Sequence, residues 1–181
     1  SPASVELIEA HGTGTVAGDR AELTTIERVL RSAHTAPGNC AVGSVKTLIG
    51  HTKSTAGVAG LIKASLALYH RVLPAHIGTE RPQAVLRTAD SPICLRPRPR
   101  AWVRSPRHPR RAGVSAFGFG GTNFHIALEE HTATAPARRP ASARDWPAEL
   151  VALSADTAAA LAAQATDIAT RAEAPAAPPL A

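Results

Sequence analysis

The chain has 181 residues, which fits one domain of ordinary size or one domain with a short second unit. Its 44% hydrophobic content is enough for a core, and the 3% aromatic content leaves that core to alanine, valine, leucine and isoleucine. The formal net charge is +6, with arginines concentrated in residues 96–111. Because aromatic residues for base stacking are so scarce, we expect this basic segment to face an acidic protein partner, or solvent, rather than nucleic acid.

The composition also bears on location. No apolar run approaches the length needed to cross a membrane, so we expect no membrane association. Two cysteines, Cys40 and Cys94, provide no disulfide framework, which suits a reducing cytoplasm. Both lie in short apolar segments that read as strands, and we predict that they are small buried hydrophobic residues.

In chain order, the first predicted element is a strand at residues 5–9, which runs into a glycine- and threonine-rich loop. A helix follows to about Ser32, with Asp19 as the predicted N-cap and Glu22 completing a capping box. A turn at 37–39 leads to a second strand at 40–46. A long helix is then predicted from about Ser54 to Arg71.

This long helix combines a surface of small residues, including Gly57 and Gly60, with apolar bulk on most other sides. A helix of that pattern is usually buried, and its glycines permit close approach to a neighbouring element. We therefore predict a buried helix packed tightly against a sheet.

The remainder of the chain alternates between loops and short elements. Residues 73–110 are rich in proline and arginine, with one short strand predicted at 93–95. Strands at 112–117 and 124–129 flank a glycine loop and predict an antiparallel hairpin. Beyond His131 the chain is typical of a linker. A strand at 150–153, a helix from Ser154 to about Arg171 and disorder over 173–181 are expected there.

Two histidines in small-residue loops are the strongest functional signal. His11 begins the string HGTGT, and His51 ends the string KTLIGH. Glycines allow the backbone to approach a ligand closely, and a neutral imidazole can donate a hydrogen bond near neutral pH. We interpret these loops, together with the glycine string at 118–121, as an active site at strand ends.

Three blocks carry a resemblance to a known family. EAHGTGT at 9–15, VKTLIGHTKSTAGVAGLIK at 45–63 and GVSAFGFGGTNFHIALEE at 113–130 resemble, in order, blocks of the β-ketoacyl synthase family. The resemblance implies a thiolase-like layered αβαβα fold, of which residues 1–131 are the C-terminal half. Residues 132–181 resemble the start of the partial α/β linker that follows the ketosynthase domain in multidomain polyketide synthases.

The resemblance also implies a reaction, a decarboxylative Claisen condensation in polyketide or fatty acid biosynthesis. His11 and His51 match the two family histidines that donate hydrogen bonds to the enolate formed from a malonyl thioester. Lys46 matches the family lysine, whose expected role is electrostatic, with Asp19 and Glu22 as its expected counter-charges.

Further residues are expected to bind the substrate. Phe119 matches the gating phenylalanine, and its backbone N–H is expected in the oxyanion hole for the acyl-cysteine. Gly118 and Gly120 allow the loop to move, while Thr13 and Thr15 are expected to hold the pantetheine arm. The implied partners are an acyl carrier protein bearing phosphopantetheine, the N-terminal half of the ketosynthase and a second copy in a homodimer. No metal or other directly bound cofactor is expected, and His125 is interpreted as structural.

The family nucleophile is a cysteine that precedes the first of these blocks. We therefore expect a ketosynthase fragment that has no condensing activity alone. The alternatives are a non-catalytic chain-length factor, a decarboxylating loading ketosynthase, a basic nucleic-acid or scaffold protein, and a thiolase proper. Thr47 and Leu48 replace the Ser-Asn of modular synthases, which makes the string similar to iterative polyunsaturated-fatty-acid or enediyne synthases.

Overall fold

The computed structural model describes residues 1–118, 120–132, 151 and 153–172. It divides the chain into two compact units, Ser1–Ala137 and Arg138–Ala181. The first unit contains the sheets and all three sequence blocks. In the second unit the described helix is α4 (Ala158–Ala172), where the amide of Ala160 donates to Oγ1 of Thr157 at 3.2 Å. The helix therefore begins after Thr157 rather than at the predicted Ser154.

The first unit is built on a five-stranded sheet. Its elements, in chain order, are β1 (Leu7–Glu9), α1 (Val16–Ser32), β2 (Cys40–Gly43), α2 (Lys46–Ile49), α3 (Ala56–His70), β3 (Val72–Leu73), β4 (Ile93–Cys94), β5 (Arg100–Ala101), β6 (Arg111–Phe117) and β7 (Asn123–Glu129). The strand order is β4-β2-β1-β6-β7, and the β1–β2, β1–β6 and β2–β4 pairs are parallel. Strands β3 and β5 form a separate antiparallel pair.

The central strand β1 is buried on both faces. Leu7 belongs to a core cluster that includes Ala64 and Leu68 of α3, whereas Ile8 belongs to a cluster that includes Leu23 and Leu30 of α1. The sheet is therefore covered by α3 on one face and by α1 on the other, as expected for parallel strands.

The small residues of α3 face the sheet, as predicted. A Cβ added at Gly60 would lie 3.0 Å from Cγ of Glu9, and one at Gly57 would lie 3.1 Å from Cβ of Ala116. The prediction of burial on most sides is wrong for the described residues, because the outer face of α3 exposes about half of several apolar side chains. These are Val58, Ile62, Leu66 and Tyr69.

Two local predictions need correction. Helix α1 begins at Val16 after Thr15, and Asp19 lies inside its first turn rather than at the N-cap. Strand β2 ends at Gly43, and Lys46 begins the single-turn helix α2 instead of ending a strand. The hairpin is confirmed, with β6 and β7 antiparallel and Phe117 opposite Asn123. The predicted strand at 150–153 lies partly outside the described residues.

The basic segment is not uniformly exposed. Arg98, Arg104 and Arg107 are exposed, but Arg110 is buried and forms an ion pair with Glu130 while its Nε donates to the carbonyl oxygen of Trp102. The expectation that the whole segment faces solvent or a partner is therefore wrong for Arg110, whose charge joins the segment to the hairpin.

Candidate active site

The candidate site forms where three parallel strands end. The His11 loop follows β1, the segment from Ser44 to His51 follows β2, and the glycine loop follows β6. Carboxyl ends of neighbouring parallel strands meet at one edge of a sheet, which is where ligands bind in such folds. The loops also lie in close contact, because a Cβ added at Gly12 would be only 2.9 Å from Cβ of Ser44. Gly12 has φ of +44°.

The His11 loop is held by acidic side chains of α1. The Glu22 carboxylate accepts the backbone N–H groups of His11 at 2.8 Å and of Gly12 at 3.0 Å, and Asp19 accepts that of Gly14 at 3.2 Å. The spacing of Asp19 and Glu22 predicts a capping box. In the structure these two carboxylates instead accept hydrogen bonds from amides of the loop that precedes the helix. Charge-assisted bonds of this type are stronger than neutral ones.

The two histidines present equivalent atoms. Nδ1 of His11 accepts the backbone N–H of Phe117 at 3.3 Å, and Nδ1 of His51 accepts that of Lys53 at 3.0 Å. A neutral imidazole that accepts at Nδ1 carries its proton on Nε2. The rings are perpendicular, with centroids 6.0 Å apart. Each imidazole can therefore donate a hydrogen bond from Nε2.

Electrostatics keep the site suited to neutral imidazole. Burial and the nearby Lys46 charge lower the pKa of His11, partly opposed by Glu22. Burial also lowers the pKa of Lys46, while Glu9 and Glu22 act to raise it. The carboxylates that act on the pKa of Lys46 are therefore Glu9 and Glu22, and Asp19 is not among them.

The predicted substrate-binding residues lie around this edge. Thr13 and Thr15 are exposed, with their hydroxyl oxygens 3.3 Å apart. The amide of Gly118 donates to the carbonyl oxygen of Thr122 at 2.8 Å, and Gly120 has φ of +93°, which suits glycine. Phe119 lies outside the described residues, so its predicted gating role stays a prediction.

A buried polar group below the site was not predicted from the sequence. Glu9 is 2% exposed and pairs with Lys63, whose Nζ lies 2.7 Å from Oε2. His76 lies beside them and accepts the backbone N–H of Ser44 at Nδ1, 3.3 Å away. A charged residue inside the apolar string VELIE is the one signal that could have revealed it.

The predicted burial is confirmed for Cys40 and only partly for Cys94. Cys40 is fully buried in β2, and Cys94 is half-buried in β4 with its Sγ 3.3 Å from the carbonyl oxygen of Gly38. Burial raises the pKa of both thiols. Since the thiolate is the nucleophile, neither residue has the surroundings of a catalytic cysteine.

His125 lies near the site but makes a local contact. Its Nδ1 is 3.0 Å from Oγ of Ser115 on the paired strand. Both residues, with His11, Thr13 and Glu22, line a cavity of about 880 Å³. Within the described part of the chain, no cluster of His, Cys, Asp and Glu could hold a metal ion, and no helix is long and apolar enough to cross a membrane.

Comparisons with known proteins identify the family. Residues 1–80 match the family "beta-ketoacyl synthase, C-terminal domain", and residues 89–180 match the family "ketoacyl-synthetase C-terminal extension". A polyunsaturated fatty acid synthase polypeptide of Thraustochytrium sp. is 46% identical over 135 residues, which are 71% of this chain and 5% of that protein.

Other relatives are polyketide synthases. A phenolphthiocerol/phthiocerol polyketide synthase polypeptide of Mycobacterium tuberculosis is 42% identical over 163 residues, 87% of this chain and 10% of that protein. The solved ketosynthase from module 6 of the bacillaene synthase of Bacillus subtilis 168 is 39% identical with a TM-score of 0.69, over 73% of this chain and 24% of that one. The chain thus spans a small part of its relatives. It belongs to the β-ketoacyl synthase family and has the thiolase-like fold of the C-terminal part of a ketosynthase domain.

Proposed function

We propose that this chain supplies the decarboxylating half of the active site in a ketosynthase that performs decarboxylative Claisen condensation. The observation that carries the proposal is the pair of imidazoles, His11 and His51, each accepting a backbone N–H at Nδ1 and free to donate from Nε2. Two imidazole N–H donors on neighbouring rings, with centroids 6.0 Å apart, suit a developing oxyanion.

In the proposed reaction, the bond between the malonyl carboxylate and the α-carbon breaks and carbon dioxide leaves. The electron pair passes to the α-carbon and the thioester oxygen, and His11 and His51 donate hydrogen bonds to that oxygen. A single such donor is worth about 3–4 kcal/mol of barrier. The α-carbon then attacks the acyl-thioester carbonyl carbon, a new carbon–carbon bond forms, and the cysteine thiolate leaves.

Lys46 and Glu22 support the donors in this proposal. The Lys46 charge helps to lower the pKa of His11 and so favours the neutral donor. The Glu22 carboxylate holds the His11 loop through two backbone amides. Phe119 and Gly118 are proposed to serve the acyl-cysteine, and Thr13 and Thr15 to contact the pantetheine arm.

The malonyl group is proposed to arrive on the phosphopantetheine arm of an acyl carrier protein, which is a substrate carrier and not a resident cofactor. The remaining N-terminal half of the ketosynthase would provide the cysteine, and a second copy would complete a homodimer. The KTLIGH string and the 46% identity to a polyunsaturated fatty acid synthase support an iterative subtype.

The test separates two half-reactions in the complete ketosynthase domain. His11→Ala and His51→Ala should slow malonyl-thioester decarboxylation strongly while acyl loading of the cysteine continues, because both donors act on the enolate. The two rates are followed by carbon dioxide release and by intact-protein mass spectrometry. Equal losses of loading and decarboxylation in both variants would assign these histidines a structural role instead.

A further inference from the structure

The turn at residues 44–46 depends on distant side chains. The amide of Ser44 donates to Nδ1 of His76 at 3.3 Å, and the amide of Val45 donates to Oε1 of Glu9. Both Ser44 and Val45 are buried, and buried backbone donors need partners. The conformation that leads into Lys46 is therefore fixed by one side chain from β1 and another from the loop after β3.

Burial of the charged Glu9 side chain costs free energy that a purely structural position would not require. Glu9 is 2% exposed on the central strand, and its second carboxylate oxygen lies 2.7 Å from Nζ of Lys63, whose side chain is 13% exposed. An apolar residue usually serves a core at least as well as a buried ion pair. Leu7 does so on the same face of β1. The carboxylate at position 9 therefore indicates a function beyond packing.

Two glycines leave room for this polar group. A Cβ at Gly60 would lie 3.0 Å from Cγ of Glu9, and a Cβ at Gly43 would lie 3.4 Å from Nδ1 of His76 and 3.5 Å from Nζ of Lys63. Helix α3 and strand β2 therefore both lack a side chain next to Glu9 and His76.

His76 acts as a neutral acceptor. Its Nε2 lies 2.9 Å from Oγ1 of Thr79, so an imidazole that accepts from Ser44 at Nδ1 can donate to that hydroxyl. Burial and the facing Lys63 charge lower the pKa of His76, while Asp19 acts to raise it. The neutral form therefore prevails near neutral pH.

We propose that Glu9 and His76 are positioning residues that fix the turn at 44–46 and so hold the Lys46 charge beside His11. This inference rests on the proposed decarboxylation. Neither residue touches the substrate. His76 acts through the backbone of the turn, and Glu9 acts through that backbone and also as a counter-charge of Lys46. Loss of either contact lets Lys46 shift, which removes one of the charges that keep His11 neutral.

The test uses matched variants of the complete ketosynthase domain. His76→Leu removes the acceptor, while His76→Asn keeps an acceptor near the Nδ1 position. Glu9→Leu removes the contacts with the Val45 amide and with Lys63, while Glu9→Gln keeps an oxygen for the Val45 amide. The leucine variants should lose decarboxylation by about 10²-fold, the scale of a displaced catalytic group. Acyl loading should keep its wild-type rate, and the amide variants should recover much of the loss.

A milder variant covers the case in which the leucine proteins do not fold. Gly60→Ala pushes a methyl group against Glu9, whereas Ser65→Ala changes only the exposed face of the same helix. In Gly60→Ala, decarboxylation should be slower, and its loss at acidic pH should begin at a higher pH. Ser65→Ala should show neither effect. Parallel losses of loading and decarboxylation, or unchanged decarboxylation in Gly60→Ala, overturn the proposal.

The same assay separates this inference from the proposed function. If His11→Ala loses decarboxylation while folded Glu9 and His76 variants keep it, the proposed function stands and the positioning role is wrong. If His11→Ala keeps decarboxylation as well, the proposed function itself is wrong.

Discussion

Glu22 offers the sharpest test of how the His11 loop is held. Its carboxylate accepts the backbone N–H groups of His11 and Gly12 at 2.8 and 3.0 Å, across the gap between the loop and helix α1. Glu22→Ala removes both acceptors, and Glu22→Gln keeps one oxygen but removes the charge. Neither change introduces bulk, so the loss of hydrogen bonds is the main effect.

The magnitude follows from the two bonds. A hydrogen bond to a charged group contributes about 1.5–3 kcal/mol, and the lower figure applies here because Glu22 is half-buried and water can reach the freed amides. Glu22→Ala should therefore lower the free energy of unfolding by about 3 kcal/mol, and Glu22→Gln by about half as much. Decarboxylation should fall further than stability alone explains, because the loop positions a donor, with losses of up to about 10²-fold.

The assay is urea denaturation of the complete ketosynthase domain, with decarboxylation measured on the same samples. Glu27→Gln is the matched control, since Glu27 lies on the same helix and pairs only with the half-exposed Arg31 among described residues. Such a pair contributes about 0.3–0.5 kcal/mol. If Glu22→Gln and Glu27→Gln cost the same and both retain full decarboxylation, the loop is not held by Glu22.

Three further predictions concern charge. Lys46→Gln removes a cation that lowers the pKa of His11. The loss of decarboxylation at acidic pH should therefore begin at a higher pH, toward the ordinary histidine pKa of 6.5. If the acidic side of the pH profile does not move, Lys46 does not influence the pKa of His11. Because a lowered pKa means that the unfolded chain binds the proton more readily, the His11 contribution to folding is retained above pH 6.5 and lost as pH falls through the lower folded pKa. Arg110→Ala should lower the free energy of unfolding by about 1.5–3 kcal/mol, the scale of a hydrogen bond to a charged group, because it removes the guanidinium that pairs with the half-buried Glu130. Arg104 is exposed, so Arg104→Ala should leave the denaturation midpoint nearly unchanged. Equal midpoints for the two variants would show that the Arg110 pair contributes nothing.

The elements with local signals could be predicted from the sequence. The hairpin of β6 and β7 follows from alternating strands around a glycine loop, and the small-residue face of α3 follows from its glycines. The outcome for α3 shows the limit. Apolar residues such as Ile62 and Leu66 indicate burial, but they do not say which surface covers them, and in the described chain they are half exposed.

Site residues whose types carry chemistry could be predicted from the sequence, whereas those whose roles depend on tertiary contacts could not. His11, Lys46 and His51 stand in the recognisable sequence strings HGTGT and KTLIGH. The hydrogen bonds from the His11 loop amides to Asp19 and Glu22 did not follow, because the same spacing also suits a helix cap. Glu9 was missed because a short strand buried on both faces shows no alternation that marks one residue as special. His76 lies in a proline- and arginine-rich stretch with no periodicity.

In the proposed reaction His11 donates a hydrogen bond from Nε2 to the enolate oxygen, and a comparison of two His11 variants tests this donation. Glutamine places an amide donor near the Nε2 position, whereas asparagine places its amide near Nδ1, where His11 accepts the Phe117 amide. In the complete ketosynthase domain, His11→Gln should therefore keep substantially more malonyl-thioester decarboxylation than His11→Asn, with equal acyl loading. Equal decarboxylation by both variants, or faster decarboxylation by His11→Asn, would contradict donation from Nε2.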